Sequence, residues 1–377
     1  MSSYEVFKKT NLYRDDPAVR HRVDLRIARD NTFEGYKLFN LDVEITSVCN
    51  LRCRTCYNPF IKNITMSVEQ FGEVIKKGNN LAKQLNLDGL WITISGGEPF
   101  THPQLLEILE LSRTEGVLGI AIITNGTLLT KNVVSAIDKL NINEIMISID
   151  GGTEHIHDHI RGYGSFKQML LGVDCLHQNS PTTFTGTTLT LTSENFTEIE
   201  SYVKLSFDLG FCYAWINPPL LTGRLPNNSL SISLEQSLKA SELVRTIDNS
   251  TLKYGFNVYY NLPYYALSDP ISPFADFQTA CPFGRNNLTV CSNGDVLPCL
   301  YSRDYVLGNI FENDLLSIFN TPDLVLYRSG ELLAKECKAC NLAMFCGGCR
   351  ARTFYRTGEW FERDTWCPLI AESRKKT

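Results

Sequence analysis

The sequence has no apolar run near the roughly 18 consecutive residues that a membrane-spanning helix needs. Its first residues, Met1-Ser2-Ser3-Tyr4-Glu5, lack the basic-then-apolar form of a secretory signal. There is no basic tract beyond Arg374-Lys375-Lys376, and 36 Lys and Arg against 41 Asp and Glu leave a net charge of −5. A nucleic-acid-binding face needs clustered cations to neutralise phosphates. Neither nucleic acid nor a membrane is therefore expected as a partner, and the protein is expected to stay in the cytoplasm. Internal repeats and low-complexity tracts are also missing. Charged residues at 20% and apolar residues at 43% match ordinary globular usage, which excludes wholesale disorder. The 377 residues suggest two or three domains, or one large domain with an appendage.

What is present in excess is cysteine. Thirteen Cys in a chain without an export signal do not read as a disulfide framework, because thiols stay reduced in the cytosol. Cys49, Cys53 and Cys56 fall within eight residues, and eight more lie between Cys281 and Cys367. Clustered thiols in a reducing compartment usually hold metal. Cys175 and Cys212 stand alone on predicted core elements and read as buried apolar thiols.

Residues 1–40 are charged and weakly patterned, and are expected to form a short N-terminal extension. From residue 41 onward, strand-like runs (41–46, 89–94, 120–123, 144–149, 184–191, 213–217) alternate with helix-like ones (67–85, 103–111, 131–140, 166–177, 198–209, 235–248). Six β–α units in succession imply a parallel sheet with helices outside it and chemistry at the C-terminal strand ends. After Tyr254 the alternation stops and Pro, Gly and Asn become frequent. The expected fold is α/β, with a partial (β/α)6 TIM-like barrel over 41–254 and a linker over 255–280. A Cys-rich C-terminal domain over 281–370 and a frayed tail over 371–377 complete it.

Cys49-x3-Cys53-x2-Cys56 follows the first predicted strand, on the loop where such a barrel carries its site. Three thiolates leave one iron of a four-iron cluster without a protein ligand, the open position that a reactive metal site needs. The spacing alone also allows a three-Cys zinc loop awaiting a remote fourth ligand. Tyr57 follows the triplet, Gly96-Gly97-Glu98-Pro99 ends the second strand, Thr124-Asn125-Gly126 the third, and Ser148-Ile149-Asp150-Gly151 the fourth. In this order these motifs resemble those of radical S-adenosylmethionine (SAM) enzymes, over residues 41–245. The resemblance implies a [4Fe–4S] cluster on Cys49, Cys53 and Cys56 whose remaining iron is chelated by the amino and carboxylate groups of SAM. It implies that Gly96, Gly97 and Glu98 present acceptors to the SAM ammonium, the glycines allowing close backbone approach. Ser148 would bond the ribose, and Arg161 would pair with the SAM carboxylate. Tyr57 would lie beside the adenine, and Thr124 and Asn125 would shape the nucleoside pocket.

In the C-terminal region, Cys281 precedes Gly294-x4-Cys299, and Asn293-Gly294 reads as the turn of a hairpin. Cys337-x2-Cys340-x5-Cys346-x2-Cys349 and Cys367 complete the set. By themselves these pairs suit a zinc ribbon. Joined to the first region, they resemble the SPASM extension, which carries two auxiliary [4Fe–4S] clusters. By resemblance, Cys281, Cys299 and Cys349 bind the first, and Cys337, Cys340, Cys346 and Cys367 the second. The usual C-x3-C is here Cys346-Gly347-Gly348-Cys349, one residue shorter. Cys291, in the hairpin, is a candidate fourth ligand of the first auxiliary cluster; without it, that cluster has an open iron.

The resemblance implies an oxidoreductase that cleaves SAM reductively to a 5′-deoxyadenosyl radical, supplied with electrons by a flavodoxin- or ferredoxin-type donor. The leading expectation is oxidative modification of a peptide or protein side chain. The N-terminal 40 residues look short for an appended leader-peptide-binding domain, which weakens the peptide reading; such a domain can be a separate chain, so that reading calls for a separate leader-peptide-binding protein. The alternatives are oxidation or rearrangement of a small molecule such as a sugar or aminocyclitol, and, in a different class, a zinc-binding scaffold. No general base stands out: Asp150 and Glu154 are candidates that the sequence does not rank.

Overall fold

The computed structural model describes residues 11–33, 35–58, 63–225, 230–261, 281–340 and 343–367. Seven parallel strands run in chain order: β1 (Leu38–Thr46), β2 (Gly89–Gly96), β3 (Gly119–Thr124), β4 (Glu144–Ser148), β5 (Phe184–Thr190), β6 (Tyr213–Asn217) and β7 (Asn257–Tyr260). On the other side of β1 the sheet continues through β8 (Asn287–Val290), parallel to it, and then β9 (Asp295–Leu297) and β10 (Gly308–Asn309), both antiparallel. The order is β10-β9-β8-β1-β2-β3-β4-β5-β6-β7, an open ten-stranded sheet. The Asn293-Gly294 hairpin turn joins β8 to β9, with Gly294 at φ +89°.

Alternation along the strands sorts the sheet into two faces. Leu41, Val43 and Ile45 of β1, Leu90, Ile92 and Ile94 of β2, and Ile145 and Ile147 of β4 are wholly buried in the main core. Helices cover them: α1 (Val68–Gln84), α2 (Leu105–Thr114), α3 (Lys131–Lys139), α4 (Glu154–Arg161), α5 (Ser165–Asn179), α6 (Ile199–Asp208) and α7 (Leu234–Thr251). Ser67 caps α1 and Ser233 caps α7, each in a reciprocal box with the Gln three residues on. The intervening strand residues form the concave face, polar in Asp42, Glu44, Thr93, Ser95, Glu144, Ser148, Thr188 and Asn217, aliphatic in Ala121, Ile123 and Met146, and aromatic in Trp215. Cross-strand bonds join them, as in Asn287 Nδ2 to Asp42 Oδ2 at 3.1 Å and Asn217 Nδ2 to Thr188 Oγ1 at 2.8 Å.

Three parts differ from the sequence expectation. The expected linker opens with β7, a strand that pairs with β6. The helix expected from Pro103 begins at Leu105, after a 3-10 turn over Pro99–Thr101. The N-terminal extension contains a helix, Pro17–Phe33, that closes the N-terminal end of the barrel. Its Arg22 and Arg26 are buried and reach back to the β5–β7 strands. Arg22 donates to the Phe207 and Phe211 carbonyls, Arg26 to the Cys212 carbonyl, and Arg29 pairs with Glu144 at 3.3 Å. Arg26 and Arg29 lie over the Phe184 ring at 4.9 and 5.0 Å. With its other end plugged, the trough opens at the C-terminal strand ends.

Candidate active site

The cysteine loop leaves β1 held by the end of β2. Gly97 N donates to the Thr46 carbonyl at 2.7 Å, Glu98 N to the Val48 carbonyl at 2.8 Å, and Thr101 Oγ1 to the same carbonyl at 3.1 Å. A Cβ on Gly96 would overlap the Thr46 carbonyl, and one on Gly97 the Val48 carbonyl. Both glycines therefore serve a backbone-on-backbone contact just ahead of Cys49. The Glu98 carboxylate is 1% exposed and accepts from Thr124 Oγ1 at 2.6 Å, Asn125 N at 2.7 Å and Phe100 N at 3.2 Å. Burial raises its pKa, and these bonds oppose the shift. Asn125 Nδ2 donates to Asn50 Oδ1 at 2.9 Å, and Asn50 Nδ2 to Thr127 Oγ1 at 2.8 Å, so the β3 turn is tied to the residue after Cys49.

Cys49, Cys53 and Cys56 are partly exposed, and Cys49 lies within electrostatic reach of the other two thiols and of Glu98. Burial lifts the Cys49 thiol to about 11 and raises Cys53 and Cys56, while Arg161 and Arg224 pull the latter two down. Two backbone bonds of 2.8 Å grip the loop, Arg54 N to the Ile160 carbonyl and Arg224 N to the Cys56 carbonyl. Gly223 turns at φ +65°, and a Cβ there would strike the Cys56 and Tyr57 backbone.

Asp150 is the hub beneath the loop. It is fully buried; its Oδ2 pairs with Arg161 Nε at 2.8 Å and accepts from Thr55 Oγ1 at 3.4 Å, and its Oδ1 accepts from Thr190 N at 2.8 Å. Asn195 Nδ2 donates to its carbonyl at 2.9 Å. One carboxylate thus joins the ends of β4 and β5, the cysteine loop and the last residue of α4. Ser148, at the end of β4, is buried two residues away.

Tyr57 faces the C-terminal extension. Its hydroxyl donates to Glu44 Oε1 at 3.3 Å, its ring meets Tyr301 edge-on at 5.6 Å, and Arg303 lies over it at 4.8 Å. Glu44, 1% exposed, forms an ion pair with Arg303. Cys291 belongs to this group: Arg303 Nη1 donates to its sulfur at 3.4 Å, and Glu44 and Arg303 are the foremost charges it senses.

The other C-terminal thiols sense one another, and Tyr301 lies within reach of both Cys299 and Arg303. Cys299 senses Cys281 and Cys349, Cys349 senses Cys281, Cys337 senses Cys340 and Cys367, and Cys346 senses Cys281 and Cys367. Asp364 fixes this region by accepting from Cys349 N at 2.8 Å, Arg352 Nε at 2.9 Å and Trp366 N at 3.0 Å. Among the described residues no three His, Cys, Asp or Glu side chains converge on a point that suits a single metal ion. A tetrahedral zinc with bonds of about 2.3 Å draws its thiolates to roughly 3.8 Å of one another. Cysteine thiolates are the donors that four-iron clusters take, and the thiols of both regions fit that requirement.

Residues 43–206 match the model of the radical SAM superfamily, and residues 281–341 match that of the SPASM iron-sulfur cluster-binding domain. The chain belongs to the radical SAM superfamily and carries a C-terminal SPASM domain. It is accordingly an enzyme whose cofactors are [4Fe–4S] clusters and SAM. Similar curated proteins include an AdoMet-dependent heme synthase of Methanosarcina barkeri, 25% identical over 86% of this chain and 94% of the relative. The subtilosin biosynthesis protein AlbA of Bacillus subtilis is 28% identical over 81% of this chain and 66% of its own length. A PqqA peptide cyclase of Ruegeria pomeroyi is 24% identical over 89% and 88%. Among solved structures, anSMEcpe with bound AdoMet and a peptide superposes with a TM-score of 0.70 at 19% identity, covering 90% of this chain and 96% of that one. Streptococcus suis SuiB bound to the precursor peptide SuiA gives 0.69 at 17% identity, covering 92% and 79%. These likenesses bear out the partial-barrel fold.

Sequence reasoning missed the structural parts of Asp150, Asn50, Gly223, Arg224 and the Glu44–Arg303 pair. Asp150 had a signal, an acid directly after a strand. Arg224 and Arg303 had none, since each gains its meaning only through contacts with distant segments.

Proposed function

We propose that this enzyme oxidatively modifies a side chain of a peptide or protein. The observation that carries the reading is the concave face of the sheet. It is a trough closed at the N-terminal end and open beside the cysteine loop, where Glu44, Ser95, Ser148, Thr188 and Asn217 set charges, hydroxyls and amides among the apolar Ile123, Met146 and Trp215. Near its mouth Asn261 Nδ2 donates to Asn217 Oδ1 at 2.8 Å, and Asn217 in turn donates to Thr188. Such a lining offers hydrogen bonds to a polyamide backbone.

In this reading Cys49, Cys53 and Cys56 hold the cluster that receives SAM. Cys281, Cys299 and Cys349 hold the first auxiliary cluster, and Cys337, Cys340, Cys346 and Cys367 the second. Cys291 is engaged by Arg303 and stays outside the ligand set. When bound, the reduced cluster and SAM supply one-electron cleavage of the sulfonium and removal of a hydrogen atom from substrate carbon. The chain's own residues position and shield. Asp150 holds Arg161 by Nε, which leaves its two terminal nitrogens for a carboxylate. Glu98 braces the β2 and β3 ends, and Gly96 and Gly97 offer backbone at close range. Ser148, Thr124 and Asn125 line the nucleoside side. Tyr57 couples the cysteine loop to the extension through Glu44, Tyr301 and Arg303. A flavodoxin- or ferredoxin-type protein supplies electrons, and a separate chain presents the substrate's leader segment.

The heme-synthase relatives favour a second reading, a small-molecule substrate of tetrapyrrole type. The experiment is direct. The anaerobically reconstituted enzyme is given SAM, reductant and the short peptides encoded beside its gene, and products are weighed by mass spectrometry. Loss of two hydrogens from one peptide supports the first reading. Turnover only of a porphyrin precursor overturns it.

A further inference from the structure

The shortened link Cys346-Gly347-Gly348-Cys349 joins a thiol proposed for one auxiliary cluster to a thiol proposed for the other. Both glycines are left-handed, at φ +61° and +69°. Two buried donors point at them. Tyr327, on the helix Pro322–Arg328, is 0% exposed, and a Cβ on Gly347 would lie 2.5 Å from its hydroxyl. Arg350 is 1% exposed, and a Cβ on Gly348 would lie 2.8 Å from its Nη2.

Neither donor is satisfied by the described residues. The Tyr327 hydroxyl has no partner. Arg350 Nη1 donates to the Trp360 carbonyl at 2.9 Å and the Glu362 carbonyl at 2.7 Å, but Nε and Nη2 have none. Buried polar groups are rarely left so, because their desolvation is uncompensated. Tyr327 packs in one hydrophobic cluster with Cys281, Cys299 and Cys337. Tyr327 lies within electrostatic reach of Cys281 and Cys346, and Arg350 of Cys337. The Tyr327 ring is fixed by Phe283 at 5.5 Å and Phe361 at 5.8 Å, so the hydroxyl has a set direction.

Resting on the cluster ligands proposed above, we propose that Tyr327 Oη and Arg350 Nη2 donate hydrogen bonds to the sulfurs of the auxiliary clusters where these meet at the Gly347-Gly348 turn. A hydrogen bond to a cluster sulfur favours the reduced, more negative state, so these donors hold the auxiliary potentials up. Electrons leaving the substrate then fall more readily into the extension. The two glycines are needed for clearance, since any side chain would occupy the donor positions.

The test uses the reconstituted holoenzyme in EPR-monitored redox titrations. Tyr327→Phe keeps the ring packing and removes only the donor. It is expected to shift one auxiliary cluster's one-electron equilibrium about tenfold toward the oxidised form, about 59 mV. Iron and sulfide content and the SAM-binding cluster's potential stay at wild-type values. Arg350→Lys, which keeps the charge without Nη2, shifts a potential in the same direction. Independently of any variant, pulsed ENDOR of the reduced wild type in D2O is expected to show an exchangeable deuteron coupled to an auxiliary cluster. Fully loaded Tyr327→Phe with unchanged potentials overturns the proposal, and so does a wild type with no such coupling. A wild type carrying iron for one cluster only overturns the ligand assignment instead.

Discussion

The Asp150–Arg161 pair permits a quantitative test. Asp150→Asn preserves shape and an acceptor for Thr190 N but removes the charge that neutralises Arg161. The Arg161 side chain is 12% exposed and that of Asp150 fully buried, so water screens the pair little. Breaking a buried pair from one side costs about 3–5 kcal/mol, because the remaining charge is left uncompensated. With an unfolding entropy of about 2.1 cal/mol/K per residue, that loss lowers the melting temperature of this chain by about 4–6 °C. The assay is anaerobic thermal unfolding of the reconstituted enzyme, run beside SAM titrations. SAM affinity falls about tenfold in the same variant, as a loosened Arg161 no longer presents its terminal nitrogens in one orientation. Asp150→Asn with Arg161→Met recovers more than half of the lost stability, since removing both charges leaves neither unpaired. If Asp150→Asn melts within about 1 °C of wild type and binds SAM equally well, the hub assignment is wrong.

Other expectations follow from single contacts. Gly97→Ala pushes a methyl into the Val48 carbonyl, so iron content falls by one cluster's share and 5′-deoxyadenosine release drops at least tenfold, while auxiliary-cluster EPR signals persist. Cys291→Ala leaves the iron content unchanged, whereas Cys299→Ala lowers it; equal losses in both contradict a ligand set that excludes Cys291. His157 is 1% exposed, and burial, aided by Arg161, depresses its pKa from 6.5 to about 3. Below pH 6.5 the unfolded chain binds a proton that the folded one refuses, so stability present above that pH is lost as acid is added, by about 1.4 kcal/mol per unit. His157→Gln flattens the melting temperature between about pH 6.5 and about pH 5; parallel profiles for the two proteins refute this.

The strands most legible in the sequence were those whose outward residues are uniformly branched and apolar, such as Ile92 and Ile94 or Ile145 and Ile147. The strand β7 was missed because Val258-Tyr259-Tyr260 is short and sits between a Gly and a Pro-rich stretch. The N-terminal helix was missed for a different reason. Arg22, Arg26 and Arg29 look like a solvated charged face, yet they plug the barrel by stacking on Phe184 and Phe207 and donating to strand-end carbonyls. At the site, motif spacing pointed to Cys49, Cys53 and Cys56 and to the glycines. The glycines' job of passing one backbone under another emerged only in three dimensions. For Glu98 and Tyr57 the motifs name the residues but not their protein partners: the first accepts from Thr124 and Asn125, and the second meets Tyr301 edge-on.

The central claim is that three thiols at the mouth of the trough hold an iron–sulfur cluster that splits SAM. It is tested most directly by 5′-deoxyadenosine formation from SAM under a strong reductant, in wild type and in the variant with Cys49, Cys53 and Cys56 all replaced by Ala. Release by the wild type and none by the variant, whose auxiliary clusters remain, is the predicted result. A wild type that stays colourless and inert after anaerobic reconstitution, or a triple variant that still turns over, would contradict it.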